Sequence, residues 1–132
     1  MIEMATVGEI MSQGLLSVEA STSLVDAARR MDERRVGAVL VLTNEHVSGI
    51  LTERDILRAV AAGTVETADV GAWMTRDPET IEPSEPTGRA AAIMIHGGFR
   101  HLPVVDGGKA VGIVSIRDLM RVVIDDESPR GA

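Results

Sequence analysis

The sequence predicts an α+β fold built from two β-α-β-β-α repeats related by pseudo-twofold symmetry. Three observations carry this reading. The chain matches itself without a gap when shifted by 63 positions, which lays Val7 on Val70 and Val60 on Val123. Apolar residues at helical spacing alternate with short β-rich runs in the same order in both copies. Turn residues, Asn44-Glu45 in one copy and Asp106-Gly107-Gly108 in the other, stand between paired β-rich runs at equivalent places. The self-match holds 15 identities over the 54 positions from 7 to 60, among them Met11/Met74, Ala27-Ala28/Ala90-Ala91, Gly49-Ile50/Gly112-Ile113 and Arg54-Asp55/Arg117-Asp118. A half of this size buries too little surface to be comfortable alone, so two halves sharing an interface, with symmetric clefts at the seam, are expected.

Each element follows from its residues. Residues 6–12 and 69–75 read as short helical turns, and 16–19 and 80–82 as short strands. In 23–34 the apolar residues Leu24, Ala27, Ala28 and Met31 fall on one helical face; in 86–96, Ala90, Ala91, Met94 and Ile95 do the same. Ser21 and Ser84 stand near these helix starts as candidate caps. The runs 38–42 and 101–105 pair through the turns with 47–51 and 110–114. Helices follow at 53–62, stopped by Gly63, and at 116–124. The expected domains are a first repeat at 5–63 and a second at 69–125, joined by a linker at 63–68. A polar tail at 126–132, with Pro129 and Gly131, is expected to lack order.

Composition narrows the function. The chain has 132 residues, 45% apolar and 25% charged, an ordinary globular balance. With 13 basic and 20 acidic residues the formal charge is −7, the wrong sign for wrapping a nucleic acid. The only aromatic residues are Trp73 and Phe99, so no platform for stacking single-stranded bases exists. Cysteine is absent, which excludes disulfides, thiol catalysis and cysteine-based metal sites. The longest apolar run, 36–42, is far short of the roughly 20 residues a membrane span needs, and residues 1–4 do not open a secretory signal. A cytoplasmic location is expected.

The chemistry-bearing feature is a Gly-x-x-Ser/Thr-x-x-Asp pattern that occurs twice, as Gly49-Ile50-Leu51-Thr52-Glu53-Arg54-Asp55 and Gly112-Ile113-Val114-Ser115-Ile116-Arg117-Asp118. Each copy ends a strand and opens a helix. A Ser or Thr there, with a carboxylate three positions on, can form a capping box worth about 1 kcal/mol. The same geometry presents free N–H groups and the positive end of a helix dipole, which suit a phosphate, and the hydroxyl adds a donor.

These motifs, with Arg35-Val36-Gly37-Ala38-Val39-Leu40-Val41 and Phe99-Arg100-His101-Leu102-Pro103-Val104-Val105-Asp106 before and along the second strands, resemble the paired CBS domains, named after cystathionine β-synthase. The resemblance covers roughly residues 5–125. It implies a small regulatory module, a Bateman module, that binds adenosine-containing ligands in two clefts between its halves. The candidates are AMP, ADP and ATP, then S-adenosylmethionine or NAD, with no obligatory cofactor. It also implies a homodimer and a signal passed to a separate effector protein. The chain leaves no room for a catalytic domain and so reads as a free-standing pair.

The resemblance implies that the motif aspartates, Asp55 and Asp118, accept from ribose hydroxyls. It assigns one cleft to Ser115, Arg117, Asp118, Arg100 and His101 facing Leu16, Ser17, Val18, Val36, Gly37 and Ala38. It assigns the other to Thr52, Arg54, Asp55, Val36 and Gly37 facing Thr80, Ile81, Phe99 and Arg100. The first cleft has Arg100 and His101 beside its motif, and both can pair with phosphate. The second has Gly37 and Ala38 there. The first is therefore expected to bind nucleotide more tightly, by about 1–3 kcal/mol, leaving the second empty or open to a less charged adenosine ligand. Arg54 and Arg117 are expected on the outer helix face, Trp73 in interface packing, and Met11, Met31, Met74 and Met94 in the core.

No nucleophile, metal set or glycine-rich phosphate loop stands out, so an enzyme is not expected. The alternative to a ligand sensor is a structural dimerisation or partner-docking module with vestigial, unoccupied clefts.

Overall fold

The structure, a computed structural model, describes residues 5–127. In chain order the first repeat supplies α1 (Val7–Ile10), β1 (Ser17–Val18), α2 (Leu24–Arg34), β2 (Ala38–Thr43), β3 (His46–Thr52) and α3 (Glu53–Ala61). The second supplies α4 (Val70–Trp73), β4 (Thr75–Arg76), α5 (Thr87–Gly97), β5 (His101–Asp106), β6 (Lys109–Ser115) and α6 (Ile116–Glu127). The chain forms two compact units that cut across these repeats. One, the central unit, is Leu15–Pro78; the other, the terminal unit, combines Met1–Gly14 with Glu79–Ala132.

In the central unit a four-stranded sheet runs in the order β1-β2-β3-β4. β1 lies parallel to β2, with Ser17 opposite Leu40 and Val18 opposite Val41. β2 and β3 form a hairpin whose turn residues, Asn44 and Glu45, both have positive φ (52° and 69°), as a type I′ turn requires. β4 closes the sheet antiparallel to β3, with Ile50 opposite Thr75. On one face lies α2. Its cap is Ser23, whose hydroxyl accepts from the Asp26 N–H at 3.1 Å; Ser21, the expected cap, is two residues too early. The helix turns Leu24, Ala27 and Met31 onto Val18, Val39, Val41, Leu51, Ala59 and Val70. It stops at Arg35, which is left-handed at φ 56°.

The terminal unit repeats the plan. β5 and β6 pair as a hairpin through Gly107 and Gly108, at φ 59° and 83°. Single bridges flank it: Ile81 parallel to Val104, and Ser12 antiparallel to Ile113. These stand 63 positions from Val18/Val41 and, in reverse roles, from Thr75/Ile50. α5 has Pro86 before it with no side-chain cap, so Ser84 does not serve, and it ends at Gly98 with φ 72°. Val7, Ile81, Ala90, Met94, Leu102, Val104, Val114 and Leu119 make the core. α6 continues through Glu127; the rest of the tail expected to lack order, 128–132, lies outside the described residues.

The units cross the repeat boundaries because each repeat's leading segment is built into the other repeat's core. Val7 N–H donates to Glu85 O at 2.8 Å and Gly8 N–H to Pro83 O at 2.9 Å; correspondingly, Val70 N–H donates to Thr22 O and Gly71 N–H to Ala20 O, both at 2.8 Å. Met11 then lies over Gly112, and Met74 over Gly49. A Cβ at Gly49 would fall 2.6 Å from Met74 Sδ and 3.0 Å from Thr75 O; at Gly112 the figures are 2.5 Å from Met11 Sδ and 2.9 Å from Ser12 O. The methionines could move, but the backbone oxygens are pinned in the sheet edge. Gly49→Ala and Gly112→Ala are therefore each expected to cost about 1–3 kcal/mol. Denaturant midpoints check this, and an unshifted midpoint would show that the edge strands yield freely.

Candidate functional site

Each unit gathers three of the predicted pieces at one end of its strands. In the central unit the parallel strands β1 and β2 start at the end where the antiparallel β3 finishes. Ala38 pairs with Thr52, the Glu53 N–H donates to Gly37 O at 3.0 Å, and the Leu40 N–H donates to Leu16 O at 3.1 Å. Leu16, Ser17, Val18, Val36, Gly37, Ala38, Thr52, Arg54 and Asp55 thus belong to one unit. In the terminal unit His101 pairs with Ser115, the Ile116 N–H donates to Arg100 O at 2.8 Å, and the Ile81 N–H donates to Pro103 O at 3.0 Å. Thr80, Ile81, Phe99, Arg100, His101, Ser115, Arg117 and Asp118 belong there.

Both motifs form the expected caps. Thr52 N–H donates to Asp55 Oδ2 at 2.9 Å, its hydroxyl lies 3.1 Å from the same oxygen, and the Asp55 N–H reaches the hydroxyl at 3.4 Å. Ser115 N–H donates to Asp118 Oδ2 at 2.8 Å, and the Asp118 N–H donates to Ser115 Oγ at 3.1 Å. Each carboxylate therefore uses Oδ2 in the cap and leaves Oδ1 to the arginine three positions on. Asp55 Oδ1 lies 3.9 Å from Arg58 Nη1, and Asp118 Oδ1 lies 3.8 Å from Arg121 Nη1. Both aspartates are largely covered, their side chains 9% and 12% exposed, whereas the arginines are open to solvent. Such long, exposed ion pairs contribute little energy. They leave Oδ1 able to accept from a better donor, such as a hydroxyl pair.

The cationic neighbours differ from expectation in one respect. Arg54 and Arg117 sit exposed on their helices as anticipated, but the residues beside the motif acids are Arg58 and Arg121. Arg58 also stands over the Trp73 ring at 5.7 Å, where Trp73 packs on the central unit's core. Arg100 is exposed and His101 half-buried. Phe99 lies against Gly97, which has room for the ring only because it lacks a Cβ, and packs on the terminal unit's core. Among the side channels of chemistry, His46 opens β3, and His96 is spent within its helix on Ala92 O at 2.8 Å. Among the described residues no group of three or more His, Asp or Glu could hold a metal ion, and no helix is long and apolar enough to cross a membrane.

Two features escaped the sequence. Ser12 of the bridge and Thr75 of β4 fall at the ends of the segments whose residues predict helical turns, since so short a strand carries no alternation. The second is the placement of Glu53 on Gly37, whose only trace in the sequence is that Ile116 stands 63 positions on.

A family model for the CBS domain matches residues 7–62 and again 68–125. An uncharacterized 17.7 kDa protein of Acidianus ambivalens is 37% identical over 125 residues, covering 92% of this chain and 76% of that protein. A solved protein with CBS domains from Burkholderia ambifaria superposes with a TM-score of 0.88 at 34% identity, over 97% of this chain and 100% of its own. The CBS domain pair of protein MJ0100, in complex with 5′-methylthioadenosine and S-adenosylmethionine, also reaches 0.88, at 25% identity over 93% of this chain and 98% of its own. CBSX2 in complex with AMP reaches 0.82 at 26% identity, over 93% of this chain and 99% of its own.

Proposed function

The chain belongs to the CBS domain family, and from that premise we propose that it is a regulatory module that binds an adenosine-containing ligand and passes the signal to a separate protein. The observation that carries this reading is the twice-formed cap. At residues 52–55 and 115–118 a strand delivers a hydroxyl and a largely covered carboxylate to a helix start, with Oδ1 left out of the cap. The helix N-terminus and the Ser/Thr hydroxyl suit a phosphate, and the carboxylate oxygen not used in the cap suits ribose hydroxyls. The neighbours crystallised with AMP, S-adenosylmethionine and 5′-methylthioadenosine support the ligand class.

In this reading Asp118 and Ser115, with Arg100 and His101 beside them, hold AMP, ADP or ATP. Arg117 lies at the rim. Thr52 and Asp55, lacking such cations, hold a weaker ligand. S-adenosylmethionine and NAD remain candidates on the same adenosine chemistry. The module has no catalytic role of its own and works in the cytoplasm. It assembles as a homodimer, an expectation supported by apolar side chains left exposed on the motif helices, Leu57 and Val60 on α3 and Met120 and Ile124 on α6. A bound ligand can shift that assembly by no more than its differential affinity for the two arrangements.

Titration calorimetry with AMP, ADP, ATP, S-adenosylmethionine and NAD tests the proposal. Saturable heat is expected for at least one of them. No heat up to millimolar concentration, with a stable complex indifferent to nucleotide, would instead identify a docking module.

A further inference from the structure

The two motif corners differ at one place by a reversal of charge. In the central unit Glu53 opens α3 and lays its carboxylate on Gly37. A Cβ on Gly37 would come within 3.2 Å of Glu53 Oε1 and 3.3 Å of Cδ. The Glu53 N–H is held to Gly37 O at 3.0 Å, so backbone and side chain together keep the acid over the residue before β2. In the terminal unit the same backbone bond joins Ile116 to Arg100, at 2.8 Å. A Gly/Glu pair in one corner is thus an Arg/Ile pair in the other. The first turn of α3 holds two acids, Glu53 and Asp55; that of α6 holds Asp118 alone. Glu53 is exposed, and among the described residues its carboxylate has no ion pair or hydrogen bond that would offset its charge. Glycine at position 37 is what gives the carboxylate its place.

We propose that Glu53 is a specificity-determining residue that bars phosphate from the central unit's motif and restricts it to adenosine ligands whose 5′ substituent is uncharged or cationic, a thioether or a sulfonium. The inference rests on the proposed function. A phosphate brought to the start of α3 would meet a carboxylate, whereas at the start of α6 the equivalent residue is Ile116 and the residue bonded to its N–H is Arg100. Like charges held this close oppose binding, and the second acid in the first turn offsets the helix dipole that would otherwise attract the anion. A thioether feels neither effect, and a sulfonium gains from both.

The test compares AMP with 5′-methylthioadenosine, which share the adenosine and differ in charge at the 5′ position. In the Asp118→Ala chain, where the central motif reports alone, methylthioadenosine is expected to bind at least about tenfold more tightly than AMP. Adding Glu53→Gln, which keeps the shape and removes the charge, is expected to tighten AMP about tenfold and to change methylthioadenosine less than about threefold. In the otherwise unaltered chain, Glu53→Gln is expected to reveal a second AMP site by calorimetric stoichiometry, an arm that does not depend on Asp118→Ala folding. An Asp118→Ala chain that prefers AMP or binds neither ligand, or a Glu53→Gln change that shifts both ligands alike or neither, overturns the inference while leaving nucleotide binding through Asp118 intact. Failure of the unaltered chain to bind either of these two ligands overturns this inference; failure with ADP, ATP, S-adenosylmethionine and NAD as well overturns the proposed function.

Discussion

Asp118→Ala is expected to weaken AMP binding by about 30-fold or more, and Asp55→Ala by about threefold or less. The carboxylate of Asp118 has two tasks. Oδ2 closes the capping box with the Ser115 N–H at 2.8 Å, while Oδ1 lies 3.8 Å from Arg121 Nη1. In the proposed complex Oδ1 takes the ribose hydroxyls, and bonds to a charged acceptor in a largely covered site are worth about 1.5–3 kcal/mol. Removing the side chain deletes that term and the carboxylate half of the capping box, while Ser115 Oγ keeps its bond from the backbone N–H of position 118, so the protein should also lose up to about 1 kcal/mol of stability. Asp118→Asn separates the two. Its amide oxygen can still accept from Ser115 N–H, so stability should hold while AMP binding falls. Asp55 forms the same cap, but its corner carries Glu53 and Gly37 where the other carries Ile116 and Arg100, so its removal is expected to change nucleotide binding little. Calorimetry on the two alanine variants decides the matter. A larger loss for Asp55→Ala would reverse the ranking of the two motifs.

The largest effect on stability is expected at Leu102. It is fully buried in β5 and packs with Val7, Ile81, Ala90, Met94, Val104, Val114 and Leu119. With only Phe99 and Trp73 as aromatic residues, the cores are filled by branched aliphatic chains. The isopropyl group lost there leaves a gap among mostly branched side chains, with only the methionines Met94 and Met11 of that core flexible enough to lean into it. Leu102→Ala should cost about 3–5 kcal/mol, a large share of the 5–15 kcal/mol typical of a domain. Ile95→Ala, at a residue 72% exposed on α5, should cost about 0.5 kcal/mol or less. Urea denaturation followed by circular dichroism measures both. A loss below about 1 kcal/mol for Leu102→Ala would mean that the aliphatic core closes over the gap.

Most secondary structure was legible because its causes are local. The Leu24, Ala27, Met31 spacing shows a helix by its own period, and Asn44-Glu45 and Gly107-Gly108 announce hairpins by the φ values those turns require. The motif caps were legible for the same reason, as every bond in them joins residues three apart. Misplaced caps at Ser21 and Ser84 show the limit of local reading. Ser23 captures the role because Leu24 N–H is already bonded to Ala68 O, a contact from 44 residues away that fixes where the helix begins.

Sequence alone determined that the protein is a doubled α+β fold, with two capped Ser/Thr-x-x-Asp corners and unequal charge beside them. These features need only neighbouring residues, and a duplicated pattern reports them twice. Tertiary structure alone decided that residues 5–14 complete the sheet of the second repeat and 75–76 that of the first, because strands of one or two residues have no period and are defined only by what they pair with. It also decided that Glu53 lies on Gly37. Sixteen positions of chain separate them, and only the register of β2 against β3 brings the acid onto the glycine.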